Sequence, residues 1–113
     1  MKNITQAYIE AALWASTDDD GDSLNHGEHE LSDSFKLEAA KDCESFLELC
    51  NSAGVEPAGD DDQTGHDFFL TRNGHGAGFW DRGYGQVGDD LTKIAKSFGE
   101  SDLYVGDDGL VYA

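Results

Sequence analysis

Between Ser32 and Pro57 the residues Phe35, Ala39, Cys43, Phe46, Leu47 and Cys50 recur at helical spacing, and most of what lies between them is polar. This stripe constrains the fold more than any other feature of the chain. Positions three and four apart share one face of an α-helix, so the run predicts an amphipathic helix with that face committed to a core. Ser32 or Ser34 can cap its start. Gly54 suits the left-handed position just past its end, and Pro57 forbids continuation. Such a face must be buried, so the rest of the chain has to supply its partner.

Upstream, Ile4, Tyr8, Ile9, Ala12 and Leu13 predict a first helix, capped by Asn3 and ending near Ser16 and Thr17. Polar, acidic loops are expected over about 17–31 and 55–65. From His66 the pattern changes. Asp67 to Arg72 reads as a strand, Asn73-Gly74-His75-Gly76 as a turn, and Ala77 to Asp81 as the return strand. Gly83, Gly85 and Gly88 predict a flexible or tightly turned connection. A third helix is expected from Asp89 or Asp90, with Leu91, Ile94, Ala95 and Phe98 buried, Lys93 and Lys96 late, and Gly99 closing it. Leu103 to Tyr112 reads as a terminal hairpin around Gly106-Asp107-Asp108-Gly109. The predicted fold is a small single α+β domain over residues 1–113. It has an antiparallel four-stranded sheet made of two β-hairpins, with three helices packed on one face.

A chain of 113 residues is long enough to bury a core. Its charge is lopsided: 24 acidic against 7 basic residues, a net −17. Residues 1–65 hold 16 acids and 3 bases, and residues 66–113 hold 8 and 4. This balance repels phosphate backbones, disfavouring direct nucleic-acid binding, and attracts basic partners. No apolar run suits a membrane span or a signal peptide, so the expectation is a protein that stays in the cytoplasm of the cell that makes it, with no membrane partner. Cys43 and Cys50 are seven apart on one predicted helix. That is about 10.5 Å of axial rise, too far for a disulfide, so they read as reduced core thiols.

Candidate ligand chemistry is thin. Asp18, Asp19, Asp20 and Asp22 resemble the start of a calcium loop, but Gly27 falls where the bidentate Glu must sit. His26 and His29 lack a neighbouring Cys-x-x-Cys pair, so no zinc site is assigned. The stretch from Gly65 to Gly85 concentrates two histidines, two aspartates, two arginines and five aromatics. It lacks a nucleophile elbow or a phosphate loop, and His66 and Asp67 on a strand would point to opposite faces. The expectation leans against an enzyme, with no catalytic residue, metal or cofactor assigned.

The segments AYIEAALWASTDDDGDSLN, GHDFFLTRNGHGAGFWDRG and FGESDLYVGDDGLVYA resemble a family of small acidic proteins encoded by bacteriophages and other mobile elements. The resemblance implies a genomic setting and carries over no activity and no site residue. With the charge, it leads to an expected inhibitor that presents carboxylates where DNA presents phosphates. Its target would be a basic, nucleic-acid-handling host protein, in an anti-restriction, anti-CRISPR or anti-repair role. The binding residues would be Asp18, Asp19, Asp20, Asp22, Asp60, Asp61 and Asp62. The alternative is an accessory module, without mimicry, that binds through the glycine- and aromatic-rich hairpin: Arg72, His75, Trp80, Asp81, Arg82 and Tyr84. A small His/Asp enzyme or ligand-binding domain is the third reading. Either a monomer or a homodimer is compatible.

Overall fold

Asn3 starts the first helix by reciprocal capping: its side chain accepts from the Gln6 backbone N–H at 2.8 Å, and the Gln6 side chain accepts from the Asn3 N–H at 3.1 Å. In the computed structural model, which describes residues 3–16, 30–57, 60–74, 79, 85–101 and 103–113, this helix is α1, Ile4–Ala15. It buries Ile4, Ala7, Tyr8, Ala11 and Ala12. The short strand β1, Glu30–Leu31, leads into α2, Asp33–Ser52, whose N-cap is Ser32. The face of α2 that is buried is Phe35, Ala39, Cys43, Phe46 and Cys50; Leu47, placed on the stripe by its spacing, lies at the exposed margin. The helix ends in paired bonds from Val55 N–H to Cys50 C=O and from Gly54 N–H to Asn51 C=O, with Gly54 at φ 72°. This is a Schellman closure, and it needs glycine at that position.

The stretch after Asp60 overturns the expected first hairpin. It is a helix, α3, Asp61–Arg72, and the second acidic loop is largely its N-terminus. Asp60 is the N-cap, accepting from the Gln63 N–H at 2.8 Å, and Asp61 and Asp62 occupy the first turn. From Thr64 onward α3 is buried on nearly every side except at His66. A helix enclosed all round has no polar face, and its short apolar run, Phe68-Phe69-Leu70, looks like a buried strand. Asn73-Gly74, read as a hairpin turn, is the C-terminal cap instead: Gly74 has φ 71° and its N–H donates to the Thr71 carbonyl. Positive φ is what both structures require of Gly, so the dipeptide cannot tell them apart. Of the expected return strand only Phe79 is among the described residues; it is buried, and its N–H donates to Thr71 Oγ1 at 3.1 Å.

Helix α4 runs Gln86–Lys96, starting earlier than Asp89 and taking Gly88 into its buried face with Leu91 and Ala95. The terminal hairpin forms as β2, Tyr104–Val105, and β3, Leu110–Tyr112, with Tyr104 opposite Tyr112 and Val105 opposite Val111. Strand β1, expected to be loop, pairs parallel with β3, placing Glu30 opposite Leu110 and Leu31 opposite Val111. The architecture of the described residues is therefore four helices beside a three-stranded mixed sheet of order β1-β3-β2, in place of a four-stranded antiparallel sheet with three helices.

The core is a column of aromatic rings. Phe46 of α2 stacks on Phe68 of α3 at 4.3 Å and on Phe79 at 5.6 Å, while Tyr8 of α1 meets Phe68 and Phe69, each at 5.3 Å. Offset and edge contacts of this kind add to what area burial alone contributes. Among the described residues no helix is long and apolar enough to cross a membrane.

Candidate protein-binding site

The described part of the central block, 65–74 with Phe79, is built into the fold. Gly65 sits where α3 crosses α1: a Cβ there would lie 2.3 Å from the Ile4 carbonyl oxygen and 2.8 Å from both the Ala7 Cβ and the Tyr8 nitrogen. Only glycine permits that approach. Asp67 is fully buried and accepts from Gln63 Nε2 at 2.9 Å, one turn earlier on the same helix. Arg72, a candidate contact residue of the hairpin reading, faces inward. Its Nε donates to the Gly99 carbonyl at 2.9 Å and its guanidinium nitrogens donate to Tyr8 Oη, Asp42 Oδ2 and the Phe98 carbonyl at 3.1, 2.8 and 3.1 Å. Its carbon centre lies 5.6 Å from the ring centroids of both Phe68 and Phe98. A side chain so committed holds α1, α2, α3 and the end of α4 together. His75, Trp80, Asp81, Arg82 and Tyr84, with the acidic candidates Asp18, Asp19, Asp20 and Asp22, lie outside the described residues.

The thiols are poor nucleophiles. Burial pushes Cys43 up to about 12 from an ordinary 9.0, against an opposing hydrogen bond from Thr5, and burial alone pushes Cys50 to about 11. With so little thiolate at neutral pH, neither cysteine is a catalytic candidate.

The remaining acidic candidates, Asp60, Asp61 and Asp62, are exposed at the start of α3, where the helix dipole favours negative charge. They are fixed to a helical frame; Asp60 spends one oxygen on the cap. Beside them a cavity of about 400 Å³ opens between α1 and α3, lined by Ala7, Glu10, Ala11, Trp14, Asp62 and His66. A smaller hollow of about 320 Å³ continues past Asp62 and His66 to Asp60 and Gln63. Trp14 is 62% exposed, and its ring lies 6.1 Å from that of His66 at a tilt of 38°.

Glu10, Trp14 and His66 were not singled out as a site by the sequence reading. One signal was present: Trp14 is a large aromatic placed off the buried stripe of its helix, four residues after Glu10. A strand at Asp67–Arg72 would set His66 at the edge of a hairpin, whereas in α3 it lines the cavity beside α1. Among the described residues no three His, Cys, Asp or Glu side chains converge to hold a metal. The site offers separated carboxylates and an aromatic wall, which is recognition chemistry for a cationic partner surface. Comparison of the chain with known protein families, with curated proteins and with solved structures returned no match.

Proposed function

We propose that the chain is an acidic inhibitor or interaction protein of a bacteriophage or other mobile element, which binds a basic, nucleic-acid-handling host protein and occupies its nucleic-acid groove. The observation that carries this reading is the helical anchoring of carboxylates at the α1/α3 edge. Mimicry of a phosphate backbone needs negative charges at held positions, and charge on a free loop supplies them poorly. Asp60 as a cap, Asp61 and Asp62 in the first turn and Glu10 on the adjacent helix meet that need. A net −17 adds long-range attraction for a basic groove and accelerates encounter. The likeness of three segments to small acidic mobile-element proteins supports the setting.

The test is capture on the immobilised chain from a bacterial lysate, with identification of what is retained. Basic nucleic-acid enzymes should be retained at low salt, displaced by duplex DNA, and lost as salt shortens the screening length from about 10 Å at 0.1 M to about 3 Å at 1 M. The paired change Asp61→Asn and Asp62→Asn should reduce capture while the circular dichroism stays unchanged. Retention that ignores both salt and DNA competition would sink the proposal.

A further inference from the structure

We propose that the cavity between α1 and the start of α3 receives one arginine side chain of the partner, with Trp14 as the surface on which the guanidinium lies. This rests on the reading above and names the chemistry its site recognises. The cavity and its tryptophan wall carry the inference; the carboxylates set the sign of the guest's charge.

A volume of about 400 Å³ is at the small end of ligand cavities, suited to a side chain more than to a cofactor. Ala7 and Ala11 line it, and bulkier residues there would fill it. Trp14 leaves most of its surface in water on the wall of this space. Trp is the best aromatic partner for a cation, and a tilted His66 neighbour leaves the two rings unstacked. Glu10 comes from α1 and Asp62 from α3, so acceptors are supplied from both sides. They do not converge with a third donor as a metal ion would require. A guanidinium suits this better than a point charge: it is flat, stacks on aromatic rings, and spreads five N–H donors around its edge. The adjoining hollow at Asp60 and Gln63 gives a long side chain room to continue.

The probe is the blocked tripeptide acetyl-Gly-Arg-Gly-amide, titrated into the full chain and followed by the ¹⁵N-labelled indole N–H of Trp14, assigned by its loss in Trp14→Phe. The arginine peptide should shift this resonance saturably. The peptide with neutral citrulline should not, and the lysine peptide should bind more weakly. Removing the aromatic wall with Trp14→Ala should weaken binding roughly three- to tenfold, read from backbone amides of α1 and α3. The double change Glu10→Gln and Asp62→Asn should abolish saturation. Equal shifts with citrulline, or unsaturable shifts spread over all acidic residues, would overturn the proposal. If the chain captures a DNA-displaceable basic protein yet Trp14 ignores arginine, the cavity assignment fails alone. If Trp14 responds to arginine while no basic protein is captured, the broader reading fails and the cavity assignment stands.

Discussion

Arg72 and the groups around it set the stability of the interior at the level of single side chains. The guanidinium uses four of its five N–H donors in the bonds described above and packs beside the touching rings of Phe68 and Phe98. Arg72→Met keeps the length and removes the charge, leaving Asp42 and two backbone carbonyls without their donor. Breaking a buried pair from one side costs about 3–5 kcal/mol. The lower end is expected, because Asp42 retains contact with water. Urea denaturation measures it, and a loss under about 1 kcal/mol would show the hub to be dispensable. A second expectation concerns pH. Burial raises Tyr8 to about 12 from 10.0, partly offset by Arg72, alongside Cys43 at about 12 and Cys50 at about 11 from 9.0. Below pH 9 all three are neutral in both the folded and the unfolded chain, so this contribution is complete. Above pH 9 the unfolded chain ionises first and is favoured. Stability should therefore fall steadily between pH 9 and pH 12, as read from melting temperatures. A profile flat across that window would contradict the burial of these groups.

At the scale of elements, α3 decides the fold, and its two ends can be tested separately. Gly65→Ala should gain about 1 kcal/mol of helix propensity. The added Cβ would also meet backbone atoms of α1 at 2.3 and 2.8 Å, and backbone cannot step aside cheaply. The clash should win, for a net loss of about 2–3 kcal/mol in thermal or urea unfolding. At the N-terminus, Asp60→Ala should cost about 1 kcal/mol by removing the cap, while Asp60→Asn should be nearly neutral because Asn caps as well. The pair separates charge from stability: binding lost in both variants is a charge effect, whereas binding lost only with Ala reflects a frayed helix. The elements legible in sequence were those whose two faces differ. Helices α1 and α2 each carry a polar side, so their period shows, and the last hairpin carries a Gly-Asp-Asp-Gly turn. Helix α3 is enclosed from Asp67 to Arg72, so Phe68, Phe69 and Leu70 leave no period to read. Its Asn73-Gly74 cap uses the same backbone freedom as a hairpin turn.

For the molecule as a whole, a net −17 acts on folding and binding in opposite directions. Like charges repel one another in the compact state, so screening them should stabilise the chain. Raising sodium chloride from 0.05 to 0.5 M should raise the melting temperature while weakening capture of a basic partner, since the screening length is already only about 10 Å near 0.1 M and shortens further with salt. The two trends, measured in the same buffers by calorimetry and by a binding assay, separate electrostatic recognition from salt-induced unfolding. A melting temperature that falls with salt would mean that ion pairs such as Arg72–Asp42 outweigh the repulsion.

The sequence by itself determined the sign of the surface, the stripe of α2, the N-cap of α1, the glycine closure of α2, and the β2–β3 hairpin, and it narrowed the N-cap of α2 to Ser32 or Ser34. All of these are local: they depend on residues within a few positions of one another, and neighbouring side chains and turn dihedrals express them directly. Tertiary structure decided that the first half of the central block becomes a helix. Gly65 is explained by Ile4 and Ala7, Arg72 by Tyr8, Asp42 and Phe98, and β1 by a strand some eighty residues later. The candidate cavity is of the same kind, since Glu10 and Asp62 are brought to one space only by the α1/α3 crossing. Long-range packing chooses between a strand and an enclosed helix because a short apolar run satisfies both equally until its neighbours are in place.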